Sequence, residues 1–300
     1  MSAVLPARVR AGVRFDIFVD EVRPSTYYRA QGKHLCDGII QRMKVVILCG
    51  GLGTRLREET EFRPKPLVEV GGRPILWHIM KLYAQQGFRD FVLCLGYRGN
   101  MIKDYFLNYE AMNSDFTICL GSQSRIEYHG DHDEQGFVVT LAETGEDSMT
   151  GGRLQRVKKY LQNEERFMVT YGDGLGDVDL NQLAGFHAAH GKIATVTTFR
   201  PVSRFGILDI DQNGSVTSFS EKPRSDAWAS AGFFMFERQI FDYLSGDDCI
   251  LERQPLERLA HEGQLVAHHH EGFFCAMDTY REYELLNQLW RSQQAPWKKW

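Results

Sequence analysis

The alternation of apolar strands with helical segments predicts an α/β fold in which a mostly parallel sheet carries helices on both faces. Residues 45–49 are apolar throughout, which is typical of a strand buried on both faces. Pro74 suits the first position of a helix, and Gly87 suits its C-terminal cap. The first predicted elements are strand 45–49, helix 74–86, strand 91–95, a helix around 102–107 and strand 116–120. Active sites of such sheets lie at the carboxyl ends of the strands.

The rest of the chain is predicted to continue this sheet and to add a hairpin. Asn213-Gly214 between two apolar runs is a strong hairpin signal, whereas residues 121–136 are polar and are predicted to be a connection. Histidines 268–270 would alternate between the faces of a strand, so we do not expect them to share one metal ion. The further predicted elements are strand 137–141, a helix from about 154 to 161, strand 167–171, helix 180–190, strand 194–199, strands 205–210 and 216–221, strand 232–236, helix 255–261, strand 265–270 and helix 280–290.

The composition excludes several classes of protein. The 300 residues are 43% hydrophobic and 25% charged, as in an ordinary globular protein, and the length allows one large domain or two small ones. The net charge of −4 argues against a nucleic-acid partner, and no apolar run approaches the roughly 18 residues of a membrane span. Six cysteines without a CxxC pair indicate reduced core residues and a cytoplasmic location.

Residues 1–42 differ from the rest of the chain. They have a basic bias, no sustained periodicity and no apolar core of the kind found in a signal peptide. We therefore expect residues 1–42 to be a peripheral N-terminal extension and residues 43–300 to form the functional domain. Deletion of residues 1–42 should then leave the activity intact.

A glycine-rich loop follows the first strand and is the first candidate for a ligand site. Residues 50–53, GGLG, let backbone N–H groups come close to an anion, and Arg55 adds a fork of donors for phosphate oxygens. Lys65 stands between two prolines on a stiff loop, where it could face the same phosphates. The dinucleotide fingerprint does not fit because Leu56 stands where it needs a third glycine. The mononucleotide motif does not fit because Thr54, not lysine, follows the last glycine.

Three further polar stretches are candidates, each with a plainer alternative. Segment 144–153 leads into a predicted helix, whose first amides could bind a ligand or could simply be capped. Asp173 ends strand 167–171 between two glycines, so it could bind a divalent ion or only cap a turn. Glu221 and Lys222 end the predicted hairpin and could bind a ligand or form a solvated charge pair.

Several motifs carry a family resemblance. GGLGTRL and PKP, about ten residues apart, resemble the signature of the sugar-1-phosphate nucleotidyltransferases. TGEDSMTGGR resembles the base-facing segment of the cytidylyltransferase branch, with Ser148 in place of a threonine, and the tail APWKKW resembles the end of the glucose-1-phosphate cytidylyltransferases. The resemblance covers residues 43–300. It implies a Rossmann-like nucleotidyltransferase fold with a β-rich sugar-binding portion, and a homo-oligomer.

The reaction that the resemblance implies is transfer of a cytidylyl group from CTP to α-D-glucose 1-phosphate. The products would be CDP-glucose, a precursor of deoxysugars in surface polysaccharide such as lipopolysaccharide O-antigen, and pyrophosphate. The sugar phosphate is already anionic, so catalysis needs alignment and charge stabilisation and no general base. Two alternatives stay open, namely the same fold using UTP or dTTP, and a nucleotide-sensing subunit without turnover.

The resemblance also assigns roles by position. Arg55, Lys65 and Asp173 are the catalytic candidates, and Asp173 with Asp278 would bind the cofactor Mg²⁺. Both aspartates follow short apolar runs that should end at the same edge of the sheet. The nucleotide-binding candidates are Leu48, Cys49, Gly50, Gly51, Leu52, Gly53, Thr54, Arg55, Lys65, Ser148, Gly151, Gly152, Arg153 and Asp173. The candidates for the sugar phosphate are Glu221, Lys222 and Gly232, with Ser230-Ala231 standing where relatives usually have Asn-Gly.

Overall fold

A computed structural model describes residues 43–120, 125–203 and 205–300. The expectation for residues 1–42 lies outside the described residues. The strands are β1 (Lys44–Leu48), β2 (Glu69–Val70), β3 (Arg73–Pro74), β4 (Asp90–Leu95), β5 (Asp115–Cys119), β6 (Arg125–His129), β7 (Val138–Glu143), β8 (Arg166–Tyr171), β9 (Gly174–Gly176), β10 (Ala194–Phe199), β11 (Ile207–Ile210), β12 (Val216–Ser220), β13 (Ala229–Glu237), β14 (Leu265–His269) and β15 (Phe274–Ala276). The helices are α1 (Arg57–Thr60), α2 (Ile75–Gln85), α3 (Gly99–Leu107), α4 (Tyr109–Asn113), α5 (Thr150–Arg156), α6 (Leu180–His190), α7 (Gln254–His261) and α8 (Tyr280–Arg291).

Seven strands form the central sheet, in the order β14-β10-β13-β8-β1-β4-β7. β1 pairs in parallel with β4 and β8, β4 pairs in parallel with β7, and β10 pairs in parallel with β14. β13 is antiparallel to both of its neighbours, β8 and β10. The sheet is therefore mostly parallel, as predicted, and its carboxyl edge gathers the residues that follow β1, β4 and β8.

The central strand β1 is buried on both faces, which confirms the prediction from its apolar sequence. Val45 and Ile47 belong to a core that includes α2 and the C-terminal Trp297. Val46 and Leu48 belong to a second core on the other face, which includes residues of α5 and α7. Alternate residues of a strand point to opposite faces, so the helices on both faces are packed on one continuous sheet.

The predicted third strand of the parallel sheet is wrong in its placement. β5 pairs antiparallel with β6 in a separate two-stranded hairpin, and the third parallel strand of this half of the sheet is β7, beside β4. The predicted connection 121–136 is also wrong, because it contains β6. The physical reason is that Phe116, Ile118 and Ile126 alternate with polar residues on a hairpin that leaves all three exposed. That pattern does not reveal whether a strand joins the central sheet.

The helix predicted from about 154 to 161 begins and ends earlier than expected. α5 starts at Thr150 and ends at Arg156, and a 3₁₀ turn, Lys158–Tyr160, follows it. Gly151 and Gly152 lie inside the first turn of α5 and not in a loop before it. Glycine has a low helix propensity, so the sequence predicted a helix that begins after Gly151 and Gly152. In the structure, packing against a later segment stabilises this turn.

The second hairpin is confirmed. β11 and β12 pair antiparallel around Asn213-Gly214, where Gly214 has a φ of 84° that favours glycine.

Of the five cysteines in the described residues, four are buried free thiols as predicted, and Cys119 is exposed on the β5–β6 hairpin. Among the described residues, no helix is both long enough and apolar enough to cross a membrane.

Candidate active site

Asp173 and Asp278 lie side by side at the carboxyl edge of the sheet. Asp173 follows β8, and Asp278 follows β15, which pairs antiparallel with β9 directly after Asp173. This pairing places Ala276 opposite Gly174, and the amide of Met277 donates to the carbonyl oxygen of Asp173 at 2.9 Å. The predicted convergence of the two carboxylates is therefore confirmed.

Lys65 connects the two carboxylates. Its Nζ donates to Asp173 Oδ2 at 2.7 Å and to Asp278 Oδ1 at 2.8 Å. It lies in a 3₁₀ turn that Pro64 precedes, and only 9% of the residue is exposed. Burial lowers the pKa of Lys65, but the charge of Asp173 and the hydrogen bonds to both carboxylates outweigh burial and raise the pKa above its usual value. Lys65 is therefore a fixed positive charge at this edge.

The glycine-rich loop packs directly against this lysine. Gly53 has a φ of 64°, and a Cβ there would lie 2.9 Å from Thr60 Cγ2 and 3.2 Å from Lys65 Cβ. Thr60 Oγ1 also donates to the carbonyl oxygen of Gly53 at 3.0 Å. Position 53 thus needs glycine for both its backbone and its close contacts. Arg55, whose side chain is 73% exposed, donates to Asp278 Oδ2 at 3.0 Å and adds a second positive charge.

The other predicted residues of this loop fall into two groups. Gly51, Leu52 and Thr54 are exposed, so their backbone groups are accessible to a ligand. Leu48 and Cys49 are buried, at 8% and 1% exposed, so they could offer a nucleotide little beyond their backbone. Burial raises the pKa of the Cys49 thiol well above its usual value, which keeps it protonated and unsuited to act as a nucleophile.

Arg153 is buried and ties three stretches of backbone together. Its Nη1 donates to the carbonyl of Gly145 at 2.7 Å and to Thr144 Oγ1 at 2.9 Å, and its Nη2 donates to the carbonyl of Gly50 at 3.0 Å. Its Nη1 also donates to the carbonyl of Leu95, the last residue of β4, and its Nη2 donates to the carbonyl of Glu146, after β7. A Cβ at Gly50 would lie 2.0 Å from Arg153 Nη1, so this glycine makes room for the guanidinium. Arg153 is therefore placed to hold the glycine-rich loop against segment 144–153.

Of the two alternatives left open for the first amides of α5, the structure shows protein partners for those of Gly151 and Gly152. The amides of Gly151 and Gly152 donate to the carbonyl of Cys249 at 2.8 and 3.1 Å. A Cβ at Gly152 would lie 2.5 Å from the carbonyl oxygen of Asp247, so the glycines permit close packing against a later segment. Ser148 Oγ donates to Asp247 Oδ1 at 3.4 Å. The first turn of α5 is thus held by the protein itself, and the amides of Gly151 and Gly152 are not available to a ligand.

Two residues at this edge were missed by sequence reasoning. Tyr171, the last residue of β8, donates its hydroxyl to Glu252 Oε1, and Glu252 Oε2 accepts from Thr150 Oγ1 at 2.6 Å. Gly232 has a φ of 75°, and a Cβ there would lie 2.4 Å from Tyr171 Cδ2, so this predicted sugar-site glycine makes room for the ring. Glu252 stands alone after a short apolar run and gives no local signal of a functional site. The TYGDG motif, by contrast, could have pointed to Tyr171.

Glu221 and Lys222 stand apart from the carboxylate pair. Both are exposed, and Lys222 Nζ lies 3.0 Å from Glu221 Oε1. Lys222 has a φ of 46°, a conformation that is rare for residues other than glycine and is enriched at functional sites. In the part of the chain that the structure describes, no hydrogen bond or ion pair joins either side chain to Lys65, Asp173 or Asp278.

The donor set of this edge fits Mg²⁺. Asp173 and Asp278 offer only oxygen ligands, which suit a hard cation. Across the described residues, no group of three or more His, Cys, Asp or Glu side chains could hold a metal ion by itself. Two carboxylates make an incomplete site, which oxygens of a phosphate ligand and water could complete.

A fixed ammonium between two carboxylates, beside an exposed glycine-rich loop, is suited to holding and transferring a phosphorylated group. The fold and this site together define an α/β transferase that acts on a nucleotide. The chain belongs to the nucleotidyl transferase family, whose sequence profile matches residues 44–280.

Comparisons with individual proteins agree with this assignment. The chain is 50% identical over 259 residues to a glucose-1-phosphate cytidylyltransferase of Salmonella typhi, covering 86% of this chain and 100% of the relative. It is 43% identical, with the same coverage, to a probable glucose-1-phosphate cytidylyltransferase of Bacillus subtilis. The crystal structure of HddC from Yersinia pseudotuberculosis matches with a TM-score of 0.62 at 23% identity, covering 83% of this chain and 99% of that one. A UDP-glucose pyrophosphorylase complexed with UDP-glucose matches with a TM-score of 0.61 at 16% identity, covering 84% and 99%. These two structures support the fold alone.

Proposed function

We propose that the protein transfers a cytidylyl group from CTP to α-D-glucose 1-phosphate, giving CDP-glucose and pyrophosphate. The observation that carries the proposal is the Lys65 ammonium fixed between Asp173 and Asp278 beside the glycine-rich loop. The choice of substrates is supported by the 50% identity to a protein with that name, over the whole length of the relative.

The reaction needs no nucleophile from the protein. An anionic oxygen of glucose 1-phosphate attacks the α-phosphorus of CTP, and the bond from that phosphorus to the oxygen of the leaving pyrophosphate breaks. Negative charge builds on the α-phosphate oxygens, and the fixed charge of Lys65 is suited to stabilise it. Loop 50–53, in which Gly51 and Leu52 are exposed, and Arg55 are suited to bind the pyrophosphate, because backbone N–H groups and a guanidinium both donate to phosphate oxygens.

Asp173 and Asp278 would hold Mg²⁺ together with oxygens of the nucleotide. The ion would offset the charge of the phosphates when it is bound. Lys65 already donates to one oxygen of each aspartate, so its charge weakens the attraction of a further cation to the free protein. Metal binding should therefore be weak without CTP and strong with it.

Base recognition would fall to segment 144–153. Ser148 would contact cytosine, while Arg153, whose guanidinium is already bonded to backbone oxygens, would hold the segment in register with the glycine-rich loop. Contacts of Gly151 and Gly152 with the nucleotide would have to be made by atoms other than their amide N–H groups. Such polar contacts discriminate strongly, since a wrong base leaves buried groups unpaired.

Recognition of the sugar phosphate would fall to Glu221, Lys222 and Gly232. Glu221 and Lys222 follow the β11–β12 hairpin and are exposed, so they are free to approach a ligand. Gly232 lies at the start of the buried stretch of β13, against the ring of Tyr171. This β-rich portion would form the sugar side of the site.

Release of pyrophosphate tests the proposal. The full chain should release pyrophosphate from CTP only when glucose 1-phosphate and Mg²⁺ are both present, and excess EDTA should stop the reaction. CTP binding without any release would instead support a nucleotide-sensing subunit. Faster release from UTP or dTTP would support a different nucleotide specificity on the same fold.

Four further expectations belong to this proposal. The enzyme would be a homo-oligomer, and it would act in the cytoplasm, where its unpaired cysteines stay reduced. Residues 1–42 would be dispensable for activity, with 43–300 as the catalytic domain. CDP-glucose would feed deoxysugar synthesis for surface polysaccharide.

A further inference from the structure

The segment 247–252 has no part in the mechanism above, yet it supports residues 148–152 of the base-facing segment. The carbonyl of Asp247 accepts from the amide of Met149 at 2.8 Å, and the carbonyl of Cys249 accepts from the first glycine of α5 at 2.8 Å. The amide of Leu251 donates to Thr150 Oγ1 at 2.9 Å. The C-terminal half of segment 144–153 is therefore supported by residues about a hundred positions later in the chain, besides the bonds of Arg153.

Within this segment, Glu252 makes a contact of a different kind. One carboxylate oxygen accepts from Thr150 Oγ1 at 2.6 Å, and the other accepts from the hydroxyl of Tyr171. Thr150 is the first residue of α5, in the base-facing segment, and Tyr171 is the last residue of β8, two positions before Asp173. A carboxylate has acceptors for both hydroxyls, and hydrogen bonds to a charged acceptor are stronger than neutral ones.

The ring of Tyr171 is held in place by its neighbours Gly232 and Phe234. Gly232 has no Cβ, and any Cβ there would overlap the ring. The ring also packs against Phe234, with centroids 6.0 Å apart.

We propose that Glu252 is a positioning residue that holds the base-facing segment against β8, the strand that leads to Asp173, and that it thereby sets the preference for CTP. The inference rests on the proposed function, since it concerns the nucleotide of that reaction. Both of its oxygens accept from protein hydroxyls, so we assign Glu252 a positioning role and not a contact with the base.

The test compares Glu252→Ala and Glu252→Gln with a matched control, Asp248→Ala. Asp248 is an exposed carboxylate in the same segment, and its side chain has no partner among the described residues. For each protein, kcat and KM are measured with CTP and with UTP at saturating glucose 1-phosphate, and the thermal midpoint is recorded.

We expect Glu252→Ala to lower kcat/KM for CTP by about 10–100-fold, the usual effect of removing a residue that orients a ligand-binding group. The ratio of kcat/KM for CTP to that for UTP should fall roughly tenfold, because a loosened segment discriminates less. Glu252→Gln should recover part of both losses, because its amide keeps one acceptor. Asp248→Ala should match the wild type in all three quantities.

An unchanged CTP-to-UTP ratio in Glu252→Ala would overturn the proposal, even if the rate fell with the thermal midpoint. That outcome would mean that Glu252 only supports the fold. Failure of the proposed function is seen separately, in the wild type. A wild-type protein that preferred UTP would contradict the cytidylyl assignment, while the shift of the ratio between wild type and Glu252→Ala would still decide the role of Glu252.

Discussion

Lys65 lies 2.7 Å from Asp173, in an ion pair whose lysine side chain is only 10% exposed. The chain contains a similar pair at the opposite edge of the sheet, where Lys44 lies 2.8 Å from Asp90 and its side chain is 22% exposed. The Lys65 pair is the more deeply buried and shares its ammonium with Asp278. A desolvated charge acts more strongly on a neighbouring phosphate than an exposed one does.

Lys65→Met should therefore lower kcat by roughly 10²–10³-fold, the usual cost of one lost donor to the transition state. Methionine keeps most of the volume of the side chain and removes the charge. Lys44→Met, which breaks the comparable pair at the far edge, should leave kcat unchanged. Steady-state rates of pyrophosphate release check both variants, and near-normal turnover in Lys65→Met would remove this residue from the mechanism.

Asp173→Asn should depress turnover far more than it depresses the thermal midpoint, because it keeps the shape and removes a charge. Asp278→Asn should behave in the same way if the two aspartates share one ion. Calorimetric titration with Mg²⁺ should show weak binding to the free wild-type protein and strong binding when CTP is present. Tight binding without nucleotide, or full activity in excess EDTA, would show that the metal assignment is wrong.

Arg153→Ala should destabilise the protein and raise the KM for CTP more than the KM for glucose 1-phosphate. The substitution removes the Arg153 donor from the part-buried carbonyl oxygens of Gly145 and Glu146, and each buried acceptor left unpaired costs about 1–3 kcal/mol. Arg156→Ala is the matched control, because Arg156 lies one turn later on α5 and pairs with Asp247 at the surface. Urea unfolding and separate titrations of the two substrates provide the measurement. Equal losses for both substrates would assign Arg153 to the fold alone.

His78 makes stability depend on pH. Its Nε2 lies 2.7 Å from the carbonyl of Val70, and its Nδ1 accepts from Trp297 Nε1 at 3.3 Å, so the buried ring is neutral. Burial lowers the pKa of His78 from 6.5 to about 4. The unfolded chain then binds a proton that the folded chain does not, so stability is complete above pH 6.5 and falls as the pH drops towards 4.

This histidine should account for about 2 kcal/mol of the stability lost between pH 7.5 and pH 5. His187, whose pKa burial also lowers to about 4, adds a loss of the same sign. Urea unfolding at both pH values should show a smaller pH dependence in His78→Gln than in the wild type. The same pH dependence in both proteins would show that His78 is not the group responsible.

The parts of the fold that the sequence predicted correctly depend on local patterns of apolar residues, glycines and prolines. The apolar strands before Asp173 and Asp278 predicted that both would reach one edge, and Pro64-Lys65-Pro66 predicted a fixed lysine. The third strand was misplaced because β5 has the same alternation whether it joins the sheet or forms a separate hairpin.

The parts of the site that sequence did not predict depend on distant partners. The amides of Gly151 and Gly152 look available in a linear motif, and only the folded chain brings the carbonyl of Cys249 to them. Arg153 resembles a ligand-binding residue, yet its partners are backbone oxygens from three separate stretches. Glu252 has no motif at all, since its two hydroxyl partners come from a helix and a strand elsewhere in the sequence.

Competition between nucleotides tests the central claim most directly. The full-length protein is incubated with glucose 1-phosphate, Mg²⁺ and equal concentrations of CTP, UTP and dTTP, and the sugar nucleotides formed are identified by mass spectrometry. The account predicts that CDP-glucose dominates, that one pyrophosphate is released for each CDP-glucose, and that Asp173→Asn forms almost none. Predominance of UDP-glucose or dTDP-glucose, or the absence of any sugar nucleotide with the wild-type protein, would contradict it.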